Sequence, residues 1–129
     1  MRATAREWIE KAEADFVSSR REFRARKKPN FDAACFFAQQ CIEKYLKGRL
    51  AEAEKPIPKT HDLSVLLDAV LPLEPLWEAC RPRLETLTSY AVLFRYPGES
   101  ATKTLAKQAI DDATQVRSMI RSAMRLRSP

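Results

Sequence analysis

Arg95, His61 and the basic run from Arg20 to Lys28 are the side chains whose types and positions could do chemistry in this sequence. Arg95 stands next to Tyr96 and five residues after Tyr90. A guanidinium held at a helix end beside two phenols, and near Arg24, Arg26, Lys27 and Lys28, could grip a phosphate through paired N–H donors. Asp15 could orient it, but an acid at the edge of an apolar stripe is as readily a salt bridge within the bundle. The alternative role for Arg95 is structural, binding helix C-terminal carbonyls or Asp15 across the fold. His61 is the single histidine, able to carry a proton near neutral pH, although a histidine just after a helix cap is also a common structural hydrogen-bonder. One histidine excludes a metal site built on two or more, and Cys35, Cys41 and Cys80 lack ligand spacing, so neither metal nor cofactor is expected. Gly48 and Gly98 have no companion glycine at motif spacing, which excludes Walker and dinucleotide loops. A Gly-x-Ser-x-Gly nucleophile elbow is absent as well.

The elements that must position these residues are helices. Two glycines in 129 residues leave few tight turns for hairpins, and prolines at 29, 56, 58, 72, 75, 82 and 97 separate stretches of helical periodicity. A first helix is predicted from Thr4, where Thr4 and Glu7 read as a capping box, with Trp8, Ile9, Ala12, Phe16 and Phe23 on its apolar stripe. Asn30 can cap a second helix to about Ala51, carrying Phe31, Ala34, Cys35, Ala38, Ile42, Tyr45 and Leu46 on one face. Thr60 can cap a short third helix from His61 to Leu71. The fourth runs from about Arg83 through Leu84, Leu87, Thr88 and Ala91; continued to position 95, it would place Arg95 on the same stripe. The fifth spans about Ser100 to Arg125, with Leu105, Ala109, Ala113, Val116, Ile120 and Ala123 at spacings of three and four.

The fold class is therefore all-α: an antiparallel up-down four-helix bundle with one additional short helix in the crossover, as a single domain over residues 1–129. Phe36 and Phe37 fall outside the second helix's stripe. Such a pair needs cover, and self-association or partner docking is preferred to packing beneath the third helix.

Net charge is +6, from 23 basic and 17 acidic residues. Residues 20–28 carry +5 and residues 117–127 carry +4, so the rest of the chain carries −3. Each patch could attract phosphates. The same arginines could instead complement helix dipoles and maintain solubility, a reading that weighs more on the C-terminal set. In an up-down bundle the end of the first helix, the start of the second and the Arg95–Gly98 loop share one end, while Arg117, Arg121 and Arg125 lie toward the other. No run of about 18 apolar residues is present, so no membrane partner is expected. An N-terminus without a secretory signal and three unspaced thiols point to a cytoplasmic protein with reduced, buried cysteines.

The run Phe31 to Gly48, with Ala34-Cys35-Phe36-Phe37-Ala38-Gln39-Gln40 followed by Glu43-Lys44-Tyr45-Leu46, resembles the HEPN domain (higher eukaryotes and prokaryotes nucleotide-binding). The upstream Trp8 to Phe16 segment, Thr60-His61-Asp62-Leu63, and Tyr90 followed by Arg95-Tyr96-Pro97 extend the resemblance over almost the whole chain. It implies a helical bundle, usually a homodimer, often paired with a minimal nucleotidyltransferase in a toxin–antitoxin system. Active ribonucleases of that family carry an arginine followed, after four to six intervening residues, by a histidine that shares in metal-free attack by the 2′-hydroxyl. From Arg95 that histidine would fall at Ser100, Ala101 or Thr102, where none stands.

The reading carried forward is a HEPN-like module that binds a nucleotide or RNA phosphate through Arg95, Tyr96, Tyr90, Asp15, Arg24, Arg26, Lys27 and Lys28, with Phe36 and Phe37 at an interface. One alternative is a metal-independent RNA endonuclease toxin using Arg95 and His61. The other is a helical interaction domain without ligand.

Overall fold

A computed structural model describes residues 1–127. Five α-helices form the molecule: α1 (Ala3–Arg24), α2 (Phe31–Glu52), α3 (Leu63–Val70), α4 (Arg81–Leu93) and α5 (Lys103–Ala123), with a 3-10 turn over Pro75–Cys80 before α4. The described residues contain no strand. None of the helices is long and apolar enough to cross a membrane.

Local signals place most of the ends. Asn30 caps α2 by accepting from the Ala33 amide at 2.9 Å, and Thr102 caps α5 by accepting from Leu105 N at 3.1 Å. Two expected caps are displaced. Helix α1 starts at Ala3 with Arg2 as its uncapped N-terminal neighbour, so Thr4 lies inside the helix. A tertiary contact holds that start instead: Arg2 N donates to Glu52 at 2.8 Å, and its guanidinium pairs with Glu54. At α3 the cap is Asp62, accepting from Ser64 N, while Thr60 accepts from Asp62 N. His61 therefore precedes the helix instead of opening it.

Helices α1 and α2 form an antiparallel hairpin, with Ser19 donating to the Ala34 carbonyl near the turn and Arg2 meeting Glu52 at the far end. Helices α4 and α5 also run antiparallel, with Arg83 facing Asp112. Helix α2 is the centre of the bundle: 13 of its 22 residues are buried, and it packs against α1, α3, α4 and α5. This is why Cys35 and Cys41 are both buried although they point to different sides. One apolar cluster joins α1 (Ile9, Ala12, Phe16), α2, α3 (Leu63, Leu66, Leu67, Val70), α4 (Leu84, Leu87) and α5 (Ala106, Ala109, Ala113, Val116, Ile120). The expected stripe position Ala123 is exposed, because α5 ends there.

All three cysteines are free and buried. Burial pushes the Cys35 thiol up to about 11 and Cys41 well above its ordinary value, so little reactive thiolate exists near neutrality. Native protein at pH 8 should resist iodoacetamide, and all three thiols should react in denaturant. Rapid native labelling would show that the core opens locally.

Candidate anion-binding site

Helix α4 stops at Leu93, two residues short of Arg95. Tyr96 precedes a proline, which disfavours helix, and Gly98 adopts φ +89°, a left-handed turn that suits glycine. Arg95 is thus an exposed turn residue and not a continuation of the Leu84–Ala91 stripe. Its guanidinium lies over the Phe36 ring, 5.8 Å from the centroid. Tyr90 is half-buried and packs on Phe94 at 5.7 Å, while Tyr96 is 63% exposed.

The α4–α5 loop is pinned to the start of α2 by a long-range bond, Ala101 N donating to Asp32 at 2.6 Å. This brings Arg95 and the turn Arg24–Lys28 to the same end of the bundle. A shallow cavity of about 340 Å³ lies there, between Lys28–Asp32 and Ser100–Ala101. Among the described residues, Arg24, Arg26, Lys27, Lys28 and Arg95 have no carboxylate ion-pair partner.

Asp15 is elsewhere. Its carboxylate pairs with Lys44, which projects from the middle of α2. It cannot orient Arg95: Phe36 and Lys44 are eight residues apart on α2, about 12 Å along its axis.

His61 is held by residues that the apolar stripe concealed. Its Nδ1 lies 2.9 Å from Glu43 Oε1, and its carbonyl accepts from Gln39 Nε2 at 2.7 Å. The same carboxylate group also accepts from Lys47 at 3.1 Å and from Gln39 and Gln40 at 3.3 Å. Burial raises the Glu43 carboxyl pKa, but donors from His61, Lys47 and Gln39 and the Lys47 charge outweigh burial and hold it below its ordinary value. The imidazole itself is 72% exposed. Phe36 beneath Arg95 and Glu43 behind His61 are seven residues apart, about 10 Å along α2, so the two anchors sit on one side of that helix without meeting. Gln39, Glu43 and Lys47 recur every fourth residue, the sequence signal by which this polar stripe could have been found.

A second network takes up Arg117 and Arg121, two of the four C-terminal arginines. Arg117 is bidentate to Glu13 at 2.6 Å on both oxygens, Tyr45 donates to the same carboxylate, and Arg121 donates to the Tyr45 hydroxyl at 3.0 Å. Burial would raise the Glu13 pKa, yet the Arg117 and Tyr45 hydrogen bonds and the charges of Arg117 and Arg121 lower it overall. Arg117 is thereby a structural ion, stacked also on Phe16 at 4.4 Å. Every buried side-chain nitrogen or oxygen among the described residues has a hydrogen-bond partner.

Phe36 and Phe37 are half-buried and meet edge to face at 5.5 Å. Beyond them, Val92 (52%), Leu93 (41%) and Tyr96 extend an exposed apolar surface at the end of α4.

Three comparisons bear on this arrangement. The profile of the HEPN domain family matches residues 5–123. The crystal structure of TT1696 from Thermus thermophilus superposes with a TM-score of 0.76 at 24% identity, covering 92% of this chain and 96% of that one. At that identity the likeness speaks to the fold alone. Among curated proteins none matches the chain.

Proposed function

We propose that this chain, which belongs to the HEPN domain family, is a binding module that takes a nucleotide or RNA phosphate at the bundle end formed by Arg95 and the α1–α2 turn. The observation that carries the reading is a set of cations without carboxylate partners among the described residues: Arg95, Arg24, Arg26, Lys27 and Lys28 belong to the bundle end where the Asp32–Ala101 bond closes the loop onto α2, with Lys28 lining the cavity there. The Arg95 guanidinium lies over Phe36 and the residue is exposed, which suits a side chain that pairs with phosphate oxygens. Tyr96 supplies an exposed ring beside it. Self-association through Phe36, Phe37 and the exposed Val92–Leu93 surface would set two such ends side by side. Pairing with a minimal nucleotidyltransferase in a toxin–antitoxin-type two-gene system completes the proposal, and it rests on the family.

Arg95→Ala tests it. Loss of one charge-assisted clamp should weaken nucleotide or RNA binding by about tenfold or more, while the melting temperature moves by no more than a few degrees because the side chain is exposed. A large drop in stability with unchanged binding would make Arg95 structural.

A second reading, metal-independent RNA cleavage, draws support from the carboxylate-held imidazole of His61. Purified protein would then cleave RNA in EDTA and lose that activity in Arg95→Ala and His61→Ala. Intact RNA under those conditions rejects it.

A further inference from the structure

We infer that the binding surface continues from the bundle end along the outer face of α1 as a track for the phosphodiester backbone of a longer RNA strand. The inference rests on the reading above, that the end at Arg95 takes a phosphate. Its residues are Arg20, Arg21 and Arg24 on α1, continued through Arg26, Lys27 and Lys28 in the turn. None of the six has a carboxylate ion-pair partner among the described residues.

The contrast with the other basic patch is what gives this meaning. Arg117 and Arg121 are drawn into the Glu13–Tyr45 network, so two of the four C-terminal arginines serve the core, and only Arg125 and Arg127 there are left exposed. Among the described residues no carboxylate pairs in that way with Arg20, Arg21 or Arg24. Arg20 and Arg24 lie one turn apart on the same side, where like charges repel each other. Glu22, the acid between them in the sequence, is two residues from each and so falls on a different side of the helix.

The face is also shaped. Arg20 is steadied by the Phe16 ring, 5.5 Å from the centroid, which keeps its guanidinium against the helix. Shallow depressions of about 220 Å³ among Val17, Arg20, Arg21 and Arg24, and about 180 Å³ between Arg20, Arg24 and α5, lie along the way. The acid bordering the second, Asp111, is already held by Lys107 at 2.9 Å. Val17 is the one large apolar side chain exposed on this stretch, too little for a helix to sink into a lipid surface. A chain of phosphates needs no apolar contact and matches guanidinium forks pairwise.

The track and the Arg95 end have separable signatures. Fluorescence anisotropy with labelled oligouridylates of four and twenty nucleotides, from 50 to 200 mM salt, would compare wild type, Arg20→Gln/Arg21→Gln and Arg95→Ala. Wild type should bind the longer strand more tightly. The double variant should lose about tenfold in affinity for the twenty-mer and about 1.4 in the log–log salt slope, roughly 0.7 for each lost phosphate contact in a single strand. Arg95→Ala should weaken both lengths by the same factor. If the double variant keeps the wild-type affinity and slope for the twenty-mer while Arg95→Ala weakens both strands, the track is wrong and the phosphate site stands. Wild-type protein that binds neither strand overturns the phosphate reading itself. Binding to anionic vesicles without length-dependent RNA binding rejects the track in favour of a lipid surface. Should the double variant melt more than a few degrees early, Arg21→Glu alone, at an exposed position, provides the same comparison.

Discussion

Arg117→Ala should lower the stability of the bundle by about 3 kcal/mol, roughly 10 °C in Tm for a chain of this length. The guanidinium is 8% exposed and makes two 2.6 Å bonds to Glu13. Removing it leaves a partly buried carboxylate with Tyr45 and a distant Arg121, 3.8 Å away, as its remaining partners. The contact with Phe16 is lost as well. Replacing both partners, as in Glu13→Gln/Arg117→Met, should cost less than Arg117→Ala, because neither side then leaves an unmatched charge.

Acid provides the independent check. The Glu13 carboxyl is held below its ordinary 4.5 in the folded protein, so it binds protons less readily folded than unfolded. Its contribution is fully present above pH 4.5 and is lost as pH falls through the lower folded value. Glu43 adds the same sign. The Tm gap between wild type and Arg117→Ala should therefore be widest near pH 6 and narrow toward about pH 3. A gap that stays constant across that range would assign the loss to packing on Phe16 alone.

Gly48→Val is expected to cost about 2–3 kcal/mol through overpacking between α1 and α2. A Cβ at Gly48 would lie 2.9 Å from Ile9 Cδ1 and 3.3 Å from Trp8 Cβ. Alanine is the informative partner. The Ile9 terminal methyl can swing aside, Trp8 Cβ cannot, and the gain in helix propensity of about 1 kcal/mol offsets much of the conflict. Denaturant midpoints should place Gly48→Ala near wild type and Gly48→Val well below. Equal stability for all three would mean that the two helices are not in close contact there.

Much of the fold is legible because helix limits depend on local chemistry. Asn30 and Thr102 cap where their side chains can reach amides three residues on, and the prolines fall in joints or at helix starts, as Pro75 and Pro82 do. The ends that differ are the ones a distant residue controls. Helix α1 begins before Thr4 because Glu52 and Glu54, half a chain away, hold Arg2. The candidate site was legible in part. Arg95 and the Arg24–Lys28 turn share an end because topology puts them there. For Asp15 the sequence leaves two roles open, orienting Arg95 or bridging within the bundle, and the structure takes the second because α2 presents Lys44 to it.

The helices, the family likeness, the two basic patches and the lack of a histidine at positions 100 to 102 can all be read from the order of the residues. Tertiary structure alone decided which charges are used up and which stay free. Glu13 and Arg117 are separated by 104 residues yet form a bidentate ion pair at 2.6 Å, whereas among the described residues Arg20, Arg21 and Arg24 pair with no carboxylate. Pairing falls steeply with distance in space and ignores distance along the chain, so of two patches of similar charge in the sequence one lends Arg117 and Arg121 to an internal brace and the other stays an open surface.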